Sequence, residues 1–259
     1  MRSLSVPSCP QASSVRARGL PLIALVVAAL VASWALVAPS AQAQRKRAKK
    51  KPTVAILYFD YDGSNEEMGF LRKGLTQMLV TDLTGAPEVD IVERVRLEDA
   101  LAELELGKSK KIDPRSANRV GKLLGARYLV MGGYFDMAGT LRMDARVVEV
   151  ETGKVVASMG KHAKVDAFMN LEQYLATELG KVFRTELSAA STAPRKQPKP
   201  RKRPKRPETL DARQAAAYGK ALDAVDRGDK GEAETILEGL VRDKPDFEIA
   251  ALDLASLRK

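Results

Sequence analysis

The order in which the hydrophobic pattern changes its period constrains this chain most. Residues 53–59 (TVAILYF) form a nearly continuous apolar run rich in β-forming side chains, the pattern of a strand covered on both faces. From 66 to 84 the period becomes helical. Met68, Leu71, Leu75, Met78, Leu79 and Leu83 recur at three- and four-residue spacing, and Gly85 and Pro87 close the segment. A short strand at 88–93 follows, then a helix carrying Leu97, Ala100, Leu101 and Leu104. A second helix opens at Asp113-Pro114, an N-cap with proline in the first turn, and stops at Gly125. Three strand-like segments, about 127–135, 140–150 and 154–165, are separated only by the tight turn signals at 136–139 and 151–153. A long amphipathic helix spans 166–189, with Phe168, Leu171, Leu175, Leu179, Val182 and Leu187 on one stripe. The order β-α-β-α-α-β-β-β-α predicts an α/β (α+β) fold: a mixed sheet of about five strands, ending in an antiparallel meander, with helices packed on it.

Charge divides the chain further. It has 259 residues, 43 Lys+Arg and 33 Asp+Glu, for a net charge of +10. Seventeen of the bases lie in three segments without a single acid: 1–43, 44–52 (QRKRAKKKP) and 193–207 (APRKQPKPRKRPKRP). What remains is acidic, by −3 over 53–192 and −4 over 208–259. A folded nucleic-acid-binding domain with a basic face is therefore not expected, and no aromatic residues interleave the bases to stack on single strands. The Pro/Lys/Arg-rich stretch 190–208 reads as an extended linker. Residues 209–259 read as a small all-α unit of three helices, broken at Gly228-Asp229 and Pro245.

The N-terminus has the form of an export signal. Arg16 and Arg18 precede the apolar run Leu20–Val37, and Ala41 and Ala43 supply the small-x-small pattern of a signal-peptidase site. Cleavage after Ala43 makes Gln44 the new N-terminus and 1–43 a signal peptide. An uncleaved inner-membrane anchor is the alternative, because 18 apolar residues just span a bilayer. The one cysteine, Cys9, precedes the run, so it cannot serve as a lipidation site and is lost on cleavage. The basic arm 44–52 (Arg45, Lys46, Arg47, Lys49, Lys50, Lys51) and the linker bases (Arg195, Lys196, Lys199, Arg201, Lys202, Arg203, Lys205, Arg206) are candidate electrostatic tethers to anionic lipid or cell-wall polymer.

Catalytic signals are sparse. GKLLGA (121–126) lacks the upstream glycine and the following Ser/Thr of a phosphate loop. Gly132-Gly133 sit inside a strand, where a bulge or close backbone approach is the expected reason. His162 has no His or Cys near it in sequence. Asp60 and Asp62 follow the first strand at its carboxyl end, where α/β sites often form, so a ligand or enzyme site in that loop is an alternative to plain loop solvation. No cofactor is implied.

Four stretches taken in order, TVAILYFD (53–60), IVERVRLEDALAEL (91–104), GKLLGARYLVMGGYF (121–135) and LRMDARVVEVETGKVV (141–156), resemble the curli production assembly/transport (CsgG-like) family. That family is related to the amino-terminal domains of TolB-like proteins and to penicillin-binding-protein activators. The resemblance covers about 53–189 and implies a periplasmic α/β domain that acts through protein contacts without enzymatic chemistry. GKALDAVDRGDKGEAETILEGLVRDKPDF (219–247) resembles one tetratricopeptide-type repeat, and a lone repeat must dock on the main domain, another copy or a partner.

The resulting expectation is a non-enzymatic, exported accessory protein of the periplasm, associated with the outer membrane. It would meet envelope partners, or further copies of itself, through the α/β domain and C-terminal helices, in secretion, outer-membrane or cell-wall assembly. An oligomeric secretion channel is the alternative that the family suggests. The tight turns at 136–139 and 151–153 leave no inserted hairpin long enough to cross a bilayer.

Overall fold

The computed structural model describes residues 51–106, 113–187, 204–205 and 207–259. Strand β1 (Thr53–Ile56) lies in the middle of the parallel part of the sheet, where Thr53-Val-Ala-Ile has apolar neighbours on both sides. β1 pairs in parallel with β3 (Asp90–Ile91) on one side and β4 (Tyr128–Met137) on the other. The short β2 (Asp60–Tyr61) extends the β4 pairing. β4 turns into β5 (Thr140–Glu149), and β5 into β6 (Val155–Lys164), as an antiparallel meander. The sheet has six strands in the order β3-β1-β4-β5-β6, with β2 beside β4.

The continuous strand expected over 53–59 is interrupted. Val54–Ile56 pair with Tyr128–Val130, but Asp60 pairs with Gly133, so four residues of one strand oppose three of the other. This is a β-bulge, and its consequence is local. Val54, Ile56 and Phe59 face one layer of the core, while Ala55 and the successive Leu57 and Tyr58 face the other. Gly132 accommodates the crossing: a Cβ there would lie 2.7 Å from the Phe59 ring and 2.1 Å from the Asp144 carbonyl oxygen.

The helices follow the predicted periods with two breaks. The segment 66–84 divides at Phe70 into α1 (Glu66–Gly69), capped by Asn65, and α2 (Leu71–Leu83). α3 spans Arg94–Glu103 and α4 spans Pro114–Leu123. Asp113 caps α4 by accepting from the backbone N–H groups of Arg115 (2.9 Å) and Ser116 (3.2 Å). Gly125 ends that segment at φ +62°, where a side chain would be strained. A 3-10 turn at Val165–Ala167 leads into α5 (Phe168–Val182), which finishes in a π-helical turn, Phe183–Leu187. The C-terminal helices are α6 (Ala212–Asp226), α7 (Lys230–Asp243) and α8 (Glu248–Leu257). A reciprocal capping box between Asp211 and Gln214 starts α6.

Two apolar layers sandwich the sheet. Leu141, Met143, Ala145 and Val147 of β5 pack with α2 and α5 on one face. Leu129 and Met131 of β4 pack with Leu97, Leu101 and Val120 of α3 and α4 on the other. The C-terminal helices continue the first layer: Ala215, Tyr218, Leu222, Leu237 and Phe247 belong to the same cluster as Leu75 and Leu79 of α2. Of the docking sites open to the repeat-like segment, the main domain is the one it occupies. No helix among the described residues is long and apolar enough to cross a membrane.

Candidate functional site

Two features meet at the carboxyl end of β1. One is a cleft of about 530 Å³, lined by Tyr58, Tyr61, Ser64, Asn65, Arg72 and Lys73 among others. The second is a charge network that closes one wall of it. The bulge at 57–58 turns Tyr58 toward α3, where its hydroxyl donates to Glu98 Oε1 (2.6 Å) and accepts from Arg94 Nη1 (3.1 Å). Arg94 forms two hydrogen bonds to the Asp226 carboxylate, at 2.7 and 3.0 Å. Lys73 Nζ lies 2.7 Å from Glu98, 2.9 Å from Asp223 and 2.7 Å from Asp226. Arg227 completes the group at 3.0 Å from Asp223. Three cations therefore meet three carboxylates, contributed by α2, α3, α6 and the residue that follows α6.

Burial makes these pairs count. Arg94 is 5% exposed, which is rare for an arginine unless it is paired. Burial alone would drive the proton off Lys73, yet its hydrogen bonds to Asp226, Glu98 and Asp223 outweigh that and hold its pKa above the ordinary value. Burial would likewise raise Asp226, but hydrogen bonds from Arg94 and Lys73 win and keep its pKa below the usual carboxylate range. Desolvation pushes the Tyr58 phenol well above its ordinary value, so near neutral pH it remains a protonated donor. The Arg72 guanidinium sits 5.1 Å from the centre of the Tyr58 ring.

The opposite wall is pinned by aromatics. Tyr61 stacks on Tyr134 with ring centres 5.0 Å apart, and its hydroxyl donates to Asp136 (2.5 Å). The Asn65 N–H donates to that same hydroxyl at 3.2 Å. Tyr134 donates to the Met68 carbonyl at 2.6 Å. These bonds hold the 62–65 loop against the sheet.

Asp60 and Asp62 do not line this cleft. Asp60 is half-buried in β2 opposite Gly133, and Asp62 is exposed, its N–H donating to the Tyr134 carbonyl at 2.9 Å. The cleft belongs instead to Tyr58, which the apolar run concealed, and to Tyr61 between the two aspartates. His162 lies exposed on β6 opposite Arg142. Among the described residues no group of three His, Cys, Asp or Glu side chains is placed to hold a metal ion. Of the basic arm and linker, only Lys51 and Lys205 fall within the described residues. Lys51 reaches the Ala86 carbonyl (3.5 Å) and lies 3.9 Å from Asp90. Lys205 is exposed, and its N–H donates to Glu248 at 2.7 Å. The other tether residues, and Ala41, Ala43 and Gln44, lie outside the described residues.

With this geometry in place, residues 37–138 match the family model described as Curli production assembly/transport component CsgG. Over those residues the chain is similar to the CsgG family. The match runs from before the described residues to the β4–β5 turn; it takes in Tyr58, Tyr61, Arg72 and Lys73 of the cleft but not Asp223. A putative adenylate cyclase 3 of Rhizobium meliloti (strain 1021) is 29% identical over 103 residues, 40% of this chain. The chain spans only 16% of the length of that curated relative. Among solved structures, the C-terminal domain of LpoB from Escherichia coli aligns at 16% identity with a TM-score of 0.35. That alignment covers 44% of this chain and 82% of the other. Lipoprotein GNA1162 from Neisseria meningitidis aligns at 9% identity and a TM-score of 0.38, covering 52% of this chain and 99% of the other.

Proposed function

We propose that this is a non-enzymatic accessory protein of the cell envelope, acting by protein–protein contacts in secretion, outer-membrane or cell-wall assembly. The observation that carries the reading is the CsgG-family match over 37–138, beside a cleft whose Lys73 and Asp223 are paired within a network of ions. Lys73, Arg94, Glu98 and Asp226 stabilise a junction between helices, and such a junction favours a rigid scaffold over acid–base chemistry. The export-signal pattern of 1–43 supports a periplasmic location, associated with the outer membrane. The basic segments at 44–52 and 193–207 would then serve as tethers to anionic envelope polymer or lipid.

The test is photo-cross-linking in growing cells from a probe placed at Val95 or Leu252, which are 60% and 58% exposed. A defined cross-link to a membrane or cell-wall assembly protein is expected. Cross-links to cytosolic proteins alone would refute the reading. A ring-sized homo-oligomer in detergent would shift it to the secretion-channel alternative.

A further inference from the structure

β6 is an edge strand: β5 pairs with one side, and no strand among the described residues pairs with the other. It is ten residues long, enough to pair a whole strand of ordinary length. The outward-facing backbone groups can be assigned. The Val165 N–H donates to the Gly139 carbonyl at 3.0 Å, in register with the β5–β6 ladder. Hydrogen-bonded and non-hydrogen-bonded pairs alternate along an antiparallel ladder. Ala163, Lys161, Met159 and Ala157 therefore bond inward to β5, and the N–H and C=O groups of Ser158, Gly160, His162 and Lys164 point outward.

The side chains specify what could pair there. From Lys154 to Lys164 the sequence holds three lysines and a histidine and no acid. On the uncovered face of the sheet, exposed Arg142 and Arg146 lie across from His162 and Ser158. The acid on that face, Asp144, is held by two 2.8 Å hydrogen bonds from Arg142. On the core face, Ala157, Met159 and Ala163 are only half-buried, leaving the apolar layer open along its rim. Two copies of β6 side by side would set lysines against lysines, which destabilises a sheet. The same lysines attract a strand of opposite charge.

We propose that the outer edge of β6 receives an extended, acidic strand of a partner protein. The added strand pairs backbone to backbone with Ser158, Gly160, His162 and Lys164. Apolar residues on one face of it extend the layer past Met159 and Ala163, and carboxylates on the other meet the Lys164 and His162 side. The proposal rests on the reading that the protein works through protein contacts, and it names the surface and the partner's chemistry.

The test uses the full chain and a seven-residue peptide alternating glutamate and valine, with amide hydrogen exchange read by NMR. The expected result is a slowing of about tenfold or more at the amides of Ser158, Gly160, His162 and Lys164 when the peptide saturates. A lysine–valine peptide of the same pattern should leave them unchanged. His162→Pro removes only an outward N–H, a substitution that edge strands tolerate, and should abolish the slowing while the circular dichroism spectrum is retained. His162→Glu with Lys164→Glu, which keeps every backbone donor and reverses the charge on the face the carboxylates would meet, should lose the acidic peptide and admit the basic one. Absence of slowing in the wild type, or equal slowing in both variants, overturns the proposal. So does a wild-type dimer that His162→Pro dissociates. A cellular cross-link to an envelope partner that persists undiminished in His162→Pro overturns the edge assignment and leaves the protein-contact reading standing. Loss of every envelope cross-link, with the peptide effect intact, overturns that reading alone.

Discussion

Gly219→Ala tests the docking of the C-terminal helices by the sign of its effect. In an exposed helix, replacing glycine by alanine stabilises by about 1 kcal/mol, because glycine loses more backbone freedom on folding. Gly219 is inside α6 where it crosses α2. A Cβ at that position would lie 1.9 Å from the Phe70 carbonyl oxygen and 2.9 Å from the Gly74 backbone nitrogen. The opposing Gly74 is also tight, its Cβ position lying 2.4 Å from the Ala215 carbonyl oxygen. Backbone stands on both sides, so no side-chain rotation relieves the overlap and the helices must separate by more than 1 Å. Overpacking of this kind costs about 1–3 kcal/mol, which exceeds the propensity gain. Gly239 of α7 is the control, since its added Cβ would meet only the Arg242 guanidinium at 3.9 Å. Urea unfolding followed by circular dichroism should show Gly239→Ala stabilised by about 1 kcal/mol and Gly219→Ala destabilised by about 2 kcal/mol. Limited proteolysis should release the segment beyond residue 208 sooner in Gly219→Ala. Equal stabilisation by the two substitutions would refute the close α2–α6 crossing.

Asp226→Ala leaves Arg94 buried without its bidentate partner and should cost about 3 kcal/mol in denaturant unfolding, in the range for breaking one side of a buried pair. The native pKa of Asp226 is depressed, so its contribution is fully present above the unfolded value of about 4. It is lost as pH falls through the native value, and the gap between wild type and Asp226→Ala should close in acid. Ala138 sits at φ +49° beside Gly139 at φ +75° in the two-residue β4–β5 turn. Ala138→Gly should therefore raise thermal stability by about 1 kcal/mol, and a loss would contradict the left-handed turn. Asp113→Ala removes the α4 cap and should lower the midpoint of the same melt.

The pattern of elements was legible wherever a local rule decides. Asp113-Pro114 and Gly125 bracket α4 as capping chemistry requires, and the turn residues at 136–139 and 151–153 separate three strands of the expected extent. The bulge at Leu57-Tyr58 was not legible, because both residues are apolar or aromatic and fit an unbroken strand equally well. Only the register against β4 reveals the extra residue. The charge network was hidden for a different reason. Lys73 and Arg94 find Asp226 across 153 and 132 residues of chain, and no local spacing encodes such a pair. The acid surplus of 208–259 was a partial signal, since Asp223 and Asp226 come from it. Gly74 and Gly219 read in sequence as weak points in helices, and their role appears only where two backbones touch.

We propose that this protein is exported and works as a scaffold in the cell envelope. N-terminal sequencing of the protein recovered from fractionated cells tests it most directly. A chain beginning at Gln44 in the periplasmic or outer-membrane fraction is expected. A chain that retains residues 1–43 and is recovered with the cytosol would contradict it.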